Sequence, residues 1–154
     1  MATGRMPIYT ASEIFVSLRQ FIRQHQFTAI AFPDNAGFVV ELPHRQSFSP
    51  DAAYYEGPNS GMRFFAAAPK FAVEVRSEND YGPVAETEMA QKRADYFAAG
   101  TQVVWDVDLL SENVVRKYSA SFPMLPEIFR RNDIANAEPA VPHWTMPVED
   151  LFES

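Results

Sequence analysis

The run KFAVEVRS at residues 70–77 constrains the fold more than any other stretch of the chain. Its period of two places Phe71, Val73 and Val75 on one face of an extended strand and Ala72, Glu74 and Arg76 on the other. The first face is wholly apolar and calls for a covering layer. The second carries an acid and a base among apolar neighbours, and a mid-strand carboxylate of that kind costs stability unless it is paired. Two readings stay open for that face: an ordinary polar or ion-paired surface, and a site.

The chain on either side switches between helical and extended periodicity. In TASEIFVSLRQFIRQHQ, residues 10–26, Thr10 and Glu13 have the spacing of a capping box, and Ile14, Phe15, Leu18, Phe21 and Ile22 form one helical stripe. FTAIAF (27–32) and FVVEL (38–42) are predicted as two strands joined tightly across PDNAG, whose Asp, Asn and Gly supply turn conformations. A third strand is expected from Pro50 in SPDAAYY, and EGPNSGMRFFAAAP reads as a loop. Residues 84–99 favour a helix that Gly100 stops. TQVVWDVD (101–108) and ENVVRKY (112–118) then suggest a hairpin, with Val103, Trp105 and Val107 on one face and Trp105 in the core. Beyond Phe122 prolines interrupt the pattern, and a short strand near 144–148 followed by a helical turn in VEDLF is expected. The order of helix, strands, helix, strands predicts a mixed α/β (α+β) fold around one central sheet flanked by helices.

The 154 residues are one domain's worth of material, so one domain over 1–154 is expected. The chain has no cysteine, which removes disulfides, thiolate metal sites and cysteine nucleophiles together. His25, His44 and His143 have no ligand spacing, and there is no Gly-rich phosphate loop. A net charge of -7 repels polyanions at long range and argues against a general nucleic-acid binder. It leaves room for a local basic groove, or for acids neutralised by bound divalent cations. With no apolar run of signal-peptide or membrane-span length, a cytoplasmic protein without membrane association is expected.

Three features carry chemistry: Pro50-Asp51 at a strand start, Glu74 to Arg76, and Lys92 in the following helix. Phosphodiester hydrolysis needs a divalent metal, an activated water and positive charge at the phosphorus. An Asp opening one strand and a Glu in the next, with a main-chain carbonyl, can hold magnesium or manganese and leave waters on the ion. Arg76, two residues after Glu74, points to the same side and could meet a phosphate oxygen. Lys92 falls beside Ala85, Met89 and Tyr96 on the helix face expected to pack on the sheet, so it needs a partner. Glu74 is one candidate, and an i, i+4 pair with Glu88 is the ordinary alternative. Ser77 and Asp80 suit either the site or the turn into the helix.

In order and spacing, SPDAAYY, APKFAVEVRSEND, KRADYFAAGTQVVWDVD and VPHWTMPVEDLF resemble the Uma-type family of putative restriction endonucleases, in the PD-(D/E)XK nuclease superfamily. The resemblance runs over roughly residues 10–152 and rests on Pro50, Asp51, Ala68, Pro69, Glu74, Val75, Ser77, Lys92, Tyr96, Gly100, Trp105, Val107 and Asp108. It implies a restriction-endonuclease-like fold, Asp51, Glu74 and the Val75 carbonyl as ligands of magnesium or manganese, and a catalytic lysine moved from strand to helix as Lys92. Arg76 stands where the family's usual lysine would, and guanidinium cannot act as a base. A supplementary acid has only Glu13 and Glu41 as weak substitutes. The implied function is a metal-dependent DNA endonuclease acting as a homodimer, with Arg76 and Ser77 as weaker phosphate contacts. A catalytically silent binding or dimerisation module of the same fold is the alternative, and a hydrolase of small phosphate esters a remote third.

Overall fold

A computed structural model describes residues 3–154. Helix α1 (Arg5–His25) leads into β1 (Ile30–Phe32), β2 (Phe38–Leu42), β3 (Arg45–Phe48), β4 (Ala52–Tyr55) and β5 (Phe71–Val75). Helix α2 (Pro83–Ala98) is followed by β6 (Val103–Val107), β7 (Val115–Ser119), β8 (Phe122–Phe129), β9 (Ile134–Asn136), β10 (Thr145–Pro147) and a 3-10 turn at Val148–Leu151. Six strands form the central sheet in the order β1-β4-β5-β6-β7-β8. Its neighbours are antiparallel except β5 and β6, which run parallel with Glu74 opposite Asp106 and are connected through α2. A parallel pair needs such a crossover, and the crossover covers a face.

The two faces of β5 are covered by different layers. Phe71, Val73 and Val75 pack with Val103, Trp105 and Val107 of β6, with Ile14, Leu18 and Ile22 of α1, and with Trp144, Val148 and Leu151 from the C-terminal segment. Ala72 and Val104 face the other way, against Tyr96 of α2 and Phe38, Val40 and Phe48 of the β2–β3 hairpin. Every residue of β6 is buried, as a strand enclosed on both sides requires. The mixed fold and the alternation predicted for β5 and β6 match the structure. No helix among the described residues is long and apolar enough to cross a membrane.

Four local expectations differ. Helix α1 starts at Arg5 with Gly4 as its N-cap, so Thr10 caps nothing. Thr10 is fully buried, and its hydroxyl donates to the Leu151 carbonyl at 2.8 Å, tying the helix to the C-terminal turn. The strands β1 and β2 do not pair with each other, because β1 joins β4 and β2 joins β3. The strand β3 was hidden by its polar sequence, RQSF, of which only Phe48 is buried. Prolines hid β8, yet it lies at the sheet edge and pairs only with β7, where a missing N–H is tolerated. Gly100 does end α2, with φ at +107°.

Candidate active site

The site lies on the α2 side of the sheet, where β4 begins and β5 ends. Asp51 immediately precedes β4, and its N–H donates to the Val73 carbonyl at 2.9 Å. That anchors the backbone and aims the side chain along β5, where Asp51 Oδ2 accepts the Val75 N–H at 2.6 Å. Among the described residues, Asp51 Oδ1 accepts no hydrogen bond. Glu74 projects from β5 toward α2, and Lys92 Nζ donates to its Oε1 at 2.6 Å. Lys92 therefore pairs with Glu74 rather than with Glu88. Asp51, Glu74, Val75 and Lys92 all line one cavity of about 690 Å³, bounded by the N-terminal residues of α1, the 77–82 loop and α2.

The electrostatics follow from that enclosure. Burial, then the charge of Glu74, pushes the Asp51 carboxyl up to about 7, although the Val75 N–H and Lys92 pull the other way. Burial likewise raises Glu74, and Lys92 offsets part of the effect. For Lys92, burial favours the neutral amine, but the Glu74 carboxylate outweighs it and leaves the ammonium more firmly protonated than usual. Lys92 is thus a donor and a positive charge, and does not act as a base near neutral pH.

Arg76 faces the same way but is fully engaged. Its Nε and Nη2 grip Asp106 at 2.9 and 2.8 Å, while both Nη atoms bond Glu86 and Nη1 reaches the Asp80 carbonyl. Side-chain exposure is 3% for Arg76 and 2% for Asp106, so this is a buried fork. The polar face of KFAVEVR is therefore two things at once, a scaffold pair at Arg76 and an open cluster at Glu74. Ser77 closes the next turn, with its N–H and hydroxyl both donating to Asp80 Oδ2 at 2.8 and 3.0 Å. Neither Glu13 nor Glu41 lines the cavity.

Three groups were not singled out from sequence. Asp106 holds Arg76 and also receives Arg93 Nη1 at 3.4 Å; its signal was a charge in an otherwise apolar five-residue strand, on the face opposite Trp105. Asp95, 2% exposed, accepts Arg45 Nε at 2.7 Å and lies 2.6 Å from His44 Nε2, which fastens the β2–β3 hairpin to α2 beside the cavity. Nothing in the spacing of residues 44, 45 and 95 could have shown that. Tyr96, in the sequence a position of the Lys92 helix face and of the family pattern with no role of its own, is fully buried and lines the cavity.

The donor set suits a hard divalent cation: two carboxylates that repel each other in one cavity, with only oxygen atoms on offer. Among the described residues no three His, Cys, Asp or Glu side chains converge as a ready-made cage. An ion held there would keep main-chain and water ligands, as magnesium does.

The family model described as "Uma2: Putative restriction endonuclease" matches residues 9–149. The chain belongs to this family. A solved structure described as a putative nuclease belonging to DUF820, from Anabaena variabilis ATCC 29413, superimposes with a TM-score of 0.76. That match covers 99% of this chain and 82% of the other at 19% identity, so the nuclease-like fold is shared while the sequences have diverged widely. No curated protein matches the chain.

Proposed function

We propose that this Uma2 protein is a metal-dependent endonuclease that hydrolyses phosphodiester bonds of DNA. The observation that carries the reading is the convergence of Asp51, Glu74 and the Lys92 ammonium in one cavity, with both acids held above their ordinary ionisation range. Such a cluster is costly alone and makes chemical sense around a cation. Asp51, Glu74 and the Val75 carbonyl would hold magnesium or manganese. When bound, that ion supplies charge stabilisation at the phosphorus and water activation at neutral pH.

The chain's own residues supply the rest. Lys92, held protonated by the Glu74 carboxylate, offers its remaining N–H bonds to a phosphate oxygen or to the attacking water, and its charge opposes the negative charge that builds up at the phosphorus. The Val75 N–H holds Asp51 Oδ2, which leaves Oδ1 without a protein donor among the described residues and available to a cation. Arg76 is better used as the brace between β5, β6 and the start of α2, because a phosphate would have to displace Asp106 or Glu86 from it. Ser77 serves the turn in the same way. Cutting both strands of a duplex calls for two sites, so the working form is proposed to be a two-fold dimer.

The test is supercoiled plasmid incubated with purified protein and manganese. Nicking by the wild type that is lost in Glu74→Ala supports the proposal, and equal nicking by both defeats it. The net charge of -7, with Arg76 consumed by acids, favours a second reading in which the fold binds a partner without catalysis. Titration calorimetry separates the two: no heat of binding at millimolar magnesium or manganese selects the silent module.

A further inference from the structure

Tyr96 follows Lys92 by one helical turn, so both side chains leave α2 toward the same part of the sheet. Its ring stacks on Phe48 of β3, with centroids 4.0 Å apart and planes 13° from parallel. The stack fixes the direction of the Cζ–Oη bond. Tyr96 is completely buried and lines the cavity that also contains Asp51 and Glu74. Both carboxylates act electrostatically on its phenol, but it bonds to neither. Among the described residues, Tyr96 Oη is the one buried side-chain nitrogen or oxygen with no hydrogen-bond partner.

That isolation has a cost. A buried hydroxyl without an acceptor forfeits about 1–3 kcal/mol, and buried polar groups nearly always find a partner. Phenylalanine would fill the same space and keep the Phe48 stack without the penalty. The missing acceptor is therefore expected to arrive with a ligand. Lys92 is already given to Glu74, Arg76 to Asp106 and Glu86, and Arg93 to Asp106. A neutral donor left over beside two acids suits an incoming oxygen, because neither carboxylate accepts from it.

We propose that Tyr96 Oη donates a hydrogen bond to a non-bridging oxygen of the bound phosphodiester, one helical turn from Lys92. The inference rests on the nuclease reading and adds a substrate-contacting residue to it. Burial, then the charges of Glu74 and Asp51, keeps the phenol from ionising, so it remains a donor at any working pH.

Tyr96→Phe tests this with three measurements: the melting temperature without metal, the affinity for a short DNA duplex in calcium, and the single-turnover cleavage rate in manganese. The expected result is a melting temperature equal to or above wild type, with affinity weakened about 3- to 10-fold and cleavage slowed by at least that factor. A lowered melting temperature with unchanged binding and cleavage would assign the hydroxyl to a structural water and overturn the proposal. Unchanged values throughout would overturn it equally. Wild type that cleaves DNA alongside an equally active Tyr96→Phe removes this inference alone, whereas wild type that neither binds nor cleaves DNA removes the nuclease reading and this contact with it.

Discussion

Because burial and Glu74 push Asp51 up to about 7, the folded protein holds that proton far more tightly than an unfolded chain, whose Asp titrates at about 3.9. Without metal, stability therefore falls as pH rises from about 4 to about 7, and the whole cost is present above that window. Asp51→Asn keeps an acceptor for the Val75 N–H and deletes the charge. Thermal melts in chelator should therefore show the variant above wild type at pH 8 and level with it at pH 4, while plasmid nicking is lost. Lys92→Met is the converse case, leaving Glu74 buried without its cation. Discounted for the 41% exposure of the Lys92 side chain, the loss should be about 1–2 kcal/mol at pH 8 and smaller at pH 5, where Glu74 can take up a proton. Denaturant melts at the two pH values check it. At this scale the sequence showed which residue types were unusual, the mid-strand Glu74 and the inward-facing Lys92. It could not show that Arg76, two residues along, would be taken by Asp106, since that pairing depends on the register of β5 against β6.

Between β5 and β6, α2 acts as the lever that sets the site, because it alone delivers Lys92 and Tyr96 over the polar face of β5. Its end is set by Gly100, whose φ of +107° suits glycine and strains any other residue. Gly100→Ala should cost about 1 kcal/mol, read as a lower denaturant midpoint with unchanged slope. Its start is held by the Arg76 fork to Glu86 and Asp106. Arg76→Met leaves Asp106 buried with only the 3.4 Å Arg93 contact, so a loss of about 3 kcal/mol is expected, and Arg76→Met with Asp106→Leu should recover part of it. A double-mutant cycle by urea unfolding measures that coupling. The long, strongly periodic elements α1, β5, α2 and β6 were legible because each buries one face with its own period. The strands β3 and β8 were not: one is polar except for Phe48, and the other is broken by Pro123 and Pro126, which an edge position permits.

Across the molecule, the net charge of -7 and the enclosed carboxylates predict that stability responds to divalent cations. If a divalent cation binds the native site and not the unfolded chain, magnesium or manganese at about 100 times its dissociation constant should stabilise the fold by about 2.7 kcal/mol. Melts with added metal and with chelator should show that shift in wild type and not in Glu74→Ala. Taken by itself, the amino-acid sequence determined the coarse alternation of helix, strands, helix, strands, the two-faced character of β5, the stop at Gly100 and the presence of acids and a lysine that need partners. These follow from local periodicity and from the cost of burying charge, which act within a few residues. Tertiary structure alone decided that β1 pairs with β4 and β2 with β3, that the hairpin docks on α2 through Asp95, that Arg76 is a brace, and that Tyr96 Oη is left without an acceptor. Each of those depends on which surfaces meet across tens of residues of chain, where many pairings satisfy the same local pattern and only the packed core selects one.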